Sequence, residues 1–222
     1  RANVESDTRN REMFFAVELK YEDVIDKSLN PFLFWALLLA TQEKEDLTIN
    51  GPCSKRFIYG IKNLLLPAFE KMGLHKPNIF AEQLIDDNEN VMVANGCATG
   101  ISGGIDSFCT VVDNIKSNEI NLTHLVQFFD NNSIDDLEGL NFLREKYEKL
   151  SRFNDGLSKD FNLPIVKVYS NFTEHIEYNF EQIHVYCHVS DAMLLNGMIG
   201  KYLYATGFSI DKTCLDFSAT SH

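Results

Sequence analysis

A chain of 222 residues, 45% hydrophobic and 23% charged, is long enough to bury a real core and ordinary for a soluble globular protein. Its net charge of −12 argues against a general nucleic-acid surface and against binding to anionic membranes, while leaving local anion sites open. The five cysteines (Cys53, Cys97, Cys109, Cys187 and Cys214) form no Cys-x-x-Cys pair, which argues against a zinc ribbon or thioredoxin-like site and suits a reducing, cytoplasmic home.

The sequence from Glu12 to Leu19 is rich in β formers and predicts a strand, followed by a short helix over Tyr21–Asp26. Asn30-Pro31 reads as an N-cap and first helical position, opening a helix to about Lys44. Its apolar run, Pro31 to Ala40, is too short to span a bilayer and reads as a buried helix. Leu47–Ile49 predicts a short strand ended by Asn50-Gly51-Pro52. Ser54 caps a second helix reaching about Met72, with Pro67 as a kink and Gly73 as its close. Lys55 and Arg56 open that helix, either as an anion contact or as a solvated face. Asn78–Ile85 and Val91–Ala94 predict two strands around the acidic turn Asp86 to Asn90. Residues 1–95 thus read as a small α+β unit.

From Cys97 onward strands and helices alternate, the pattern of an α/β domain over residues 96–222 with a doubly wound, mostly parallel sheet. The expected order is a strand ending at Ile101, a helix from about Asp106 to Ser117, and a strand over Leu122–Phe129. A long helix capped by Ser133 follows, with a break expected at Asn154-Asp155-Gly156. Then come a strand over Pro164–Tyr169, a helix over Phe180–Ile199 and a strand over Tyr202–Ala205. There are no repeats or low-complexity segments, and the opening at Arg1 and the stop at His222 suit a piece of something longer.

The most informative segment is Ser102-Gly103-Gly104-Ile105-Asp106-Ser107, placed between a strand and a helix. Such a turn presents backbone N–H groups to a phosphate, and two adjacent glycines let the backbone approach an anion without a Cβ in the way. Ser102 and Ser107 add hydroxyl donors, and Asp106 can cap the helix or hold a metal. No Lys follows, so this is not a Walker A loop, and the glycines do not have the dinucleotide-binding spacing.

This hexapeptide resembles the PP-loop of the N-type ATP pyrophosphatase superfamily, which has a HUP-like fold of the adenine nucleotide alpha-hydrolase type. The resemblance covers about Val91 to His222. The region around Gly51-Pro52-Cys53-Ser54 is also similar to an uncharacterised bacterial subgroup of that superfamily. The resemblance implies an enzyme that adenylates a carbonyl oxygen, releases pyrophosphate and lets a nucleophile displace AMP. It implies ATP and Mg2+, with Gly100, Ile101 and Phe128 around the adenine and Ser102, Gly103, Gly104 and Ser107 around the pyrophosphate. Asp106 would hold the metal. Thr206 and Asp211 stand where relatives carry a Thr-Gly turn ending in an acid, which implies a phosphate contact and a second metal ligand, or else a plain strand-end turn. Lys201 and Lys212 are the nearest cations in sequence, and Thr220-Ser221-His222 resembles a Ser-His motif of the bacterial subgroup.

His184 and His188 share a helix face and read either as a zinc pair or as a histidine lining the pocket, while His124 reads as a packed core residue. The zinc-binding cysteines of the deazaguanine synthases and an amidase domain are both missing from the pattern. The reading that results is a cytoplasmic, AMP- and pyrophosphate-forming ligase. It would activate a carboxylate or amide oxygen of a small-molecule or peptide acceptor for attack by ammonia or an amine. The alternatives are a nucleotide sensor without turnover, and sulfur transfer to a nucleic-acid base through Cys97 or Cys109, both of which flank the loop in positions that read as buried. Members of the superfamily often form homodimers.

Overall fold

The computed structural model describes residues 1–7, 9–86, 94–117, 119–130 and 137–205. It opens with a hairpin of β1 (Ala2–Glu5) and β2 (Asn10–Met13), then β3 (Phe15–Val17). The single strand expected over Glu12–Leu19 is therefore split at Phe14. The cause is Asn171: its Oδ1 accepts the Phe14 N–H at 2.9 Å, and its Nδ2 donates to the Glu12 carbonyl at 3.0 Å and to Glu174 Oε2 at 2.7 Å. Asn171 is buried, so Asn171→Ala leaves backbone groups without partners. The variant is expected to lose roughly 2 kcal/mol of stability, read as a lower urea midpoint with an unchanged slope.

A 3-10 turn (Leu19–Val24) stands where the short helix was expected. A second one (Asn30–Phe32) leads into α1 (Leu33–Glu43), which ends on Lys44 in the left-handed region. Asn30 does not cap this helix; its Oδ1 instead accepts the Ser54 N–H at 2.8 Å. α1 is apolar nearly all round because it is buried nearly all round, from Leu33 to Thr41. β4 runs over Leu47–Ser54, past the expected end at Ile49, because a register shift between Ile49 and Pro52 absorbs the turn residues. β4 pairs in parallel with β5 (Ile79–Ile85).

Ser54 caps the next helix as expected, its Oγ accepting the Phe57 N–H at 3.0 Å. That helix consists of α2 (Lys55–Gly60), a π turn (Ile61–Leu65) and α3 (Leu66–Lys71). Pro67 cannot donate an N–H, and the widened turn precedes it.

The central sheet is built from β6 (Gly96–Gly100), β7 (His124–Asp130), β8 (Ile165–Ser170) and β9 (Ile199–Leu203), all parallel, with β3 antiparallel on one edge. Its order is β3-β8-β7-β6-β9. The chain steps from β6 to β7 and on to β8 through α4 (Ile105–Asn114) and α5 (Leu137–Phe161). It then returns through α6 (Phe180–Leu194) to place β9 on the far side of β6.

Alternate residues of each strand feed opposite faces. Cys97, Leu125 and Ile165 pack with Val111 of α4 and with Leu157 and Phe161 of α5. Ala98, Val126 and Val166 pack with Leu194 and Leu195 at the end of α6. The sheet is thus covered on both sides, which explains why the neighbouring strands β7 and β8 carry consecutive apolar residues, Leu125-Val126 and Ile165-Val166. α5 continues through Asn154-Asp155-Gly156, where a break was expected. Asn154 is fully buried there and donates to the Ile101 carbonyl. A third core joins α1, α3 and α6 around Trp35, Phe69, Phe172 and Ile183. The expected Ser133 cap and most of the expected strand over residues 91–94 lie outside the described residues. Among the described residues no helix is long and apolar enough to cross a membrane.

Candidate functional site

The strand order reverses between β6 and β9, and in an open α/β sheet the crevice beyond the carboxyl ends at such a point is where ligands bind. The hexapeptide lies there. The Ile101 N–H donates to the Val126 carbonyl at 2.9 Å, tying the end of β6 to β7. The chain then turns through Gly103 at φ +82°, a conformation that favours glycine. Ser102 Oγ accepts the Gly104 N–H at 3.3 Å and lies 3.3 Å from Ser107 Oγ, which donates to the Gly104 carbonyl at 2.8 Å. Gly104 is the N-cap of α4 and supplies no side-chain cap. The first-turn N–H groups of α4 are left facing outward, with the positive end of the helix dipole behind them. Asp106, in that first turn, is exposed and does not cap the helix, and its carboxylate has no hydrogen bond or ion pair among the described residues.

A cavity of about 260 Å³ straddles the sheet edge here. On the α4 side it is lined by Ile101, Ser102, Asp106 and Ser107, and on the α6 side by Phe128, His188, Tyr202 and Tyr204. Gly100 lies between the two sides. A Cβ on Gly100 would fall 2.7 Å from the Tyr202 hydroxyl, so the tyrosine closes over the backbone only because glycine is there. Phe128 and His188 stack at 4.8 Å with an 18° tilt, and Tyr202 and Tyr204 meet that pair at 6.0 and 5.9 Å. The two tyrosines are inclined to the stacked pair by 61° and 40°, and the four rings make an aromatic wall opposite a polar loop. No Lys or Arg is among the described lining residues, so an anion held there is met by N–H and O–H dipoles.

Burial, and secondarily the neighbouring His184, lower the His188 pKa from 6.5 to about 4, so the ring is neutral at pH 7. Burial pushes Tyr204 up to about 12 and raises Tyr202 as well. Because His188 binds its proton more weakly folded than unfolded, its neutral form contributes stability above pH 6.5 that is lost as pH falls toward 4. His188→Phe is therefore expected to flatten the fall in urea midpoint between pH 6.5 and 4.5 relative to the parent. An identical fall in both proteins would show that His188 titrates freely.

Of the residues singled out in the sequence, Gly100, Ile101, Ser102, Asp106, Ser107 and Phe128 come together around this cavity, with Gly103 and Gly104 in the turn beside it. His188 lines it, while His184 packs 6.1 Å from His188 at 73° and against Phe180 and Tyr204. Among the described residues no three His, Cys, Asp or Glu side chains gather to hold a metal. His124 is partly buried with a lowered pKa, its Nδ1 lying 2.8 Å from Thr123 Oγ1.

Lys201 pairs in register with Cys97 and does not line the cavity, and Lys55 makes a loose, exposed contact with Asp86 at 3.8 Å. Thr206, Asp211, Lys212, Cys214 and Thr220-Ser221-His222 lie outside the described residues. Cys97 is buried, as expected, and burial raises its pKa above the usual thiol range. Cys109 is exposed, against expectation, because Ser107 and Val111 take the inward face of α4.

The sequence did not single out Gln127, Tyr202 or Tyr204 as members of the site. Gln127 is 1% exposed and lines the cavity, and neither of its amide atoms has a partner among the described residues. Its one visible signal is an amide set inside the apolar run Leu-Val-Gln-Phe-Phe. No family model, no curated protein and no solved structure matches the chain.

Proposed function

We propose that this chain is an ATP-dependent adenylating enzyme of the PP-loop type, with the HUP-like sheet of the adenine nucleotide alpha-hydrolases. It splits ATP into AMP and pyrophosphate to activate a carboxylate or amide oxygen for attack by ammonia or an amine. The observation that carries this reading is the pairing of two unlike walls in one cavity. One is a turn with unspent N–H donors and a free carboxylate; the other is an uncharged aromatic surface. Triphosphate chemistry suits the first, and a neutral purine suits the second.

In this mechanism the acceptor oxygen attacks the α-phosphorus and the bond to the pyrophosphate oxygen breaks. An amine then attacks the adenylated carbon, and AMP leaves with the bonding pair. The first-turn N–H groups of α4 meet the negative charge that grows on the departing pyrophosphate, while the Ser102 and Ser107 hydroxyls, which donate within the turn, hold its shape. Such donors need no reorganisation, because the turn already holds them in place.

The exposed, unpaired carboxylate of Asp106 fits Mg2+, which is bound largely by phosphate oxygens and water with one or two protein carboxylates. When bound, the ion supplies charge neutralisation on the phosphates. Phe128 and the neutral His188 orient the base. The buried thiol of Cys97, raised by its surroundings, gives sulfur transfer no support. Four free cysteines among the described residues suit a cytoplasmic setting.

The test is competition at equilibrium. Inorganic pyrophosphate with Mg2+ is expected to displace a fluorescent ATP analogue from the protein. Binding of that analogue which pyrophosphate does not disturb would remove the phosphates from the turn and overturn the reading.

A further inference from the structure

A second cavity, of about 540 Å³, lies between β1, α1 and β4 and shares no residue with the loop pocket. Its floor is apolar and includes Phe32, Leu33, Ala36 and Leu39, together with the fully buried Trp35. Its two walls are strands, and each turns an unpaired backbone edge toward it.

On β4, the Leu47 N–H donates to the Asn78 carbonyl at 2.8 Å, on the β5 side. Alternation along the strand then aims the Thr48 N–H and carbonyl away from β5. Further along, the Pro52 carbonyl accepts the Leu29 N–H at 2.8 Å, and Leu29 lines the cavity, which marks that edge as the groove side. On β1, the Ser6 N–H donates to the Arg9 carbonyl at 3.0 Å and closes the hairpin. The next pair, Glu5 with Asn10, and the pair Asn3 with Glu12 are therefore the non-hydrogen-bonded ones. Asn3 and Glu5 accordingly aim their backbone groups away from β2. Asn3, Glu5 and Thr48 all line the cavity, and none has a backbone partner on that edge among the described residues.

The charge of the groove is one-sided. Glu5, Glu43, Glu45 and Asp46 line it, with no Lys or Arg among the lining residues. Arg11 engages Glu43, and Asn78 engages Asp46, which leaves Glu5 and Glu45 at the rim.

We propose that this groove takes an extended segment of a partner protein in which apolar side chains alternate with Lys or Arg, added as a strand between β1 and β4. The backbone edges supply ladder hydrogen bonds, the α1 face takes one set of side chains, and the carboxylates take the other. A second copy of this chain, at net charge −12, would bring like charge to the same rim.

Trp35 is the only tryptophan and lies in the floor, so its emission reports on the site directly. The probe is a blocked peptide of alternating Lys and Val, with a Glu and Val peptide as its control. The Lys peptide is expected to shift Trp35 emission saturably, more weakly at high salt, and the Glu peptide to leave it unchanged. Thr48→Pro removes an N–H that faces the groove and none that faces β5, and is expected to weaken the Lys peptide about tenfold or more. A paired Glu5→Lys and Glu45→Lys variant, which leaves the backbone untouched, is expected to lose the Lys peptide and gain the Glu peptide. Three results would overturn the proposal: no saturable shift with the Lys peptide, equal binding of both peptides, or undiminished binding in folded Thr48→Pro. A dimer seen by sedimentation that Thr48→Pro abolishes, with both peptides silent, would assign the groove to a second copy instead.

Discussion

Replacing Asp106 by Ala is expected to lower Mg2+-dependent ATP cleavage by roughly a hundredfold to a thousandfold while leaving the protein folded. The carboxylate is exposed and has no partner among the described residues, so its removal leaves nothing buried and unpaired. Its one structural contribution is a negative charge in the first turn of α4, worth about 0.3–1 kcal/mol against the helix dipole. A small stability change and a large loss of turnover therefore separate a metal-holding role from a capping role. Asp106→Asn sharpens the contrast, because the amide keeps the shape and loses the charge. Both are measured as initial rates across a Mg2+ series beside a urea melt. Turnover that survives in Asp106→Ala would move the metal elsewhere and remove Asp106 from the chemistry.

Gly103→Val is expected to weaken ATP binding by about a hundredfold, again with the fold retained. Gly103 holds φ +82°, where a β-branched residue is a genuine outlier. A Cβ there would also lie 3.3 Å from the Phe153 ring. Strain of this kind costs on the order of 1–3 kcal/mol, and the turn relieves it by rotating away from φ > 0. That rotation redirects the N–H groups next to Ser102 and Gly104, which belong to the proposed phosphate cradle. The strain stays local because the turn is at the surface and carries none of the sheet's ladder hydrogen bonds. Titration with a fluorescent ATP analogue and a thermal melt read the two effects separately. Affinity equal to that of the parent would show that the turn does not need its present shape to hold phosphate.

The parts of the fold that rest on short-range pattern were legible in the sequence. The strand, Gly-Gly turn and helix over residues 96–114 follow from a short apolar, β-prone run, glycine permissiveness and an amphipathic stretch, all set within a few residues of each other. Ser54 as a cap was legible for the same reason. The break at Phe14 was not, because Asn171 makes it from 157 positions away in the chain. Nor was the longer β4, whose Asn50-Gly51-Pro52 reads locally as a stop and is carried through by pairing with β5. The same logic holds at the site. Ser102, Asp106 and Ser107 are neighbours in sequence and were found together. His188, on α6, lines the cavity, which was one of the two readings of the histidine pair, whereas Tyr202 and Tyr204 reach it only because β9 is placed beside β6, a topological fact that no local pattern carries. The outward Cys109 followed from which residues of α4 face the sheet.

The proposed chemistry turns on which bond of ATP breaks. ATP radiolabelled at the α-phosphate, incubated with the protein, Mg2+ and a cell extract as the source of acceptor, gives the answer by chromatography of the products. Labelled AMP, with pyrophosphate released in equal amount, is expected only when the extract and an intact Asp106 are both present. Labelled ADP formed by the parent protein and not by Asp106→Ala would place the cleavage at the γ-phosphate and contradict it.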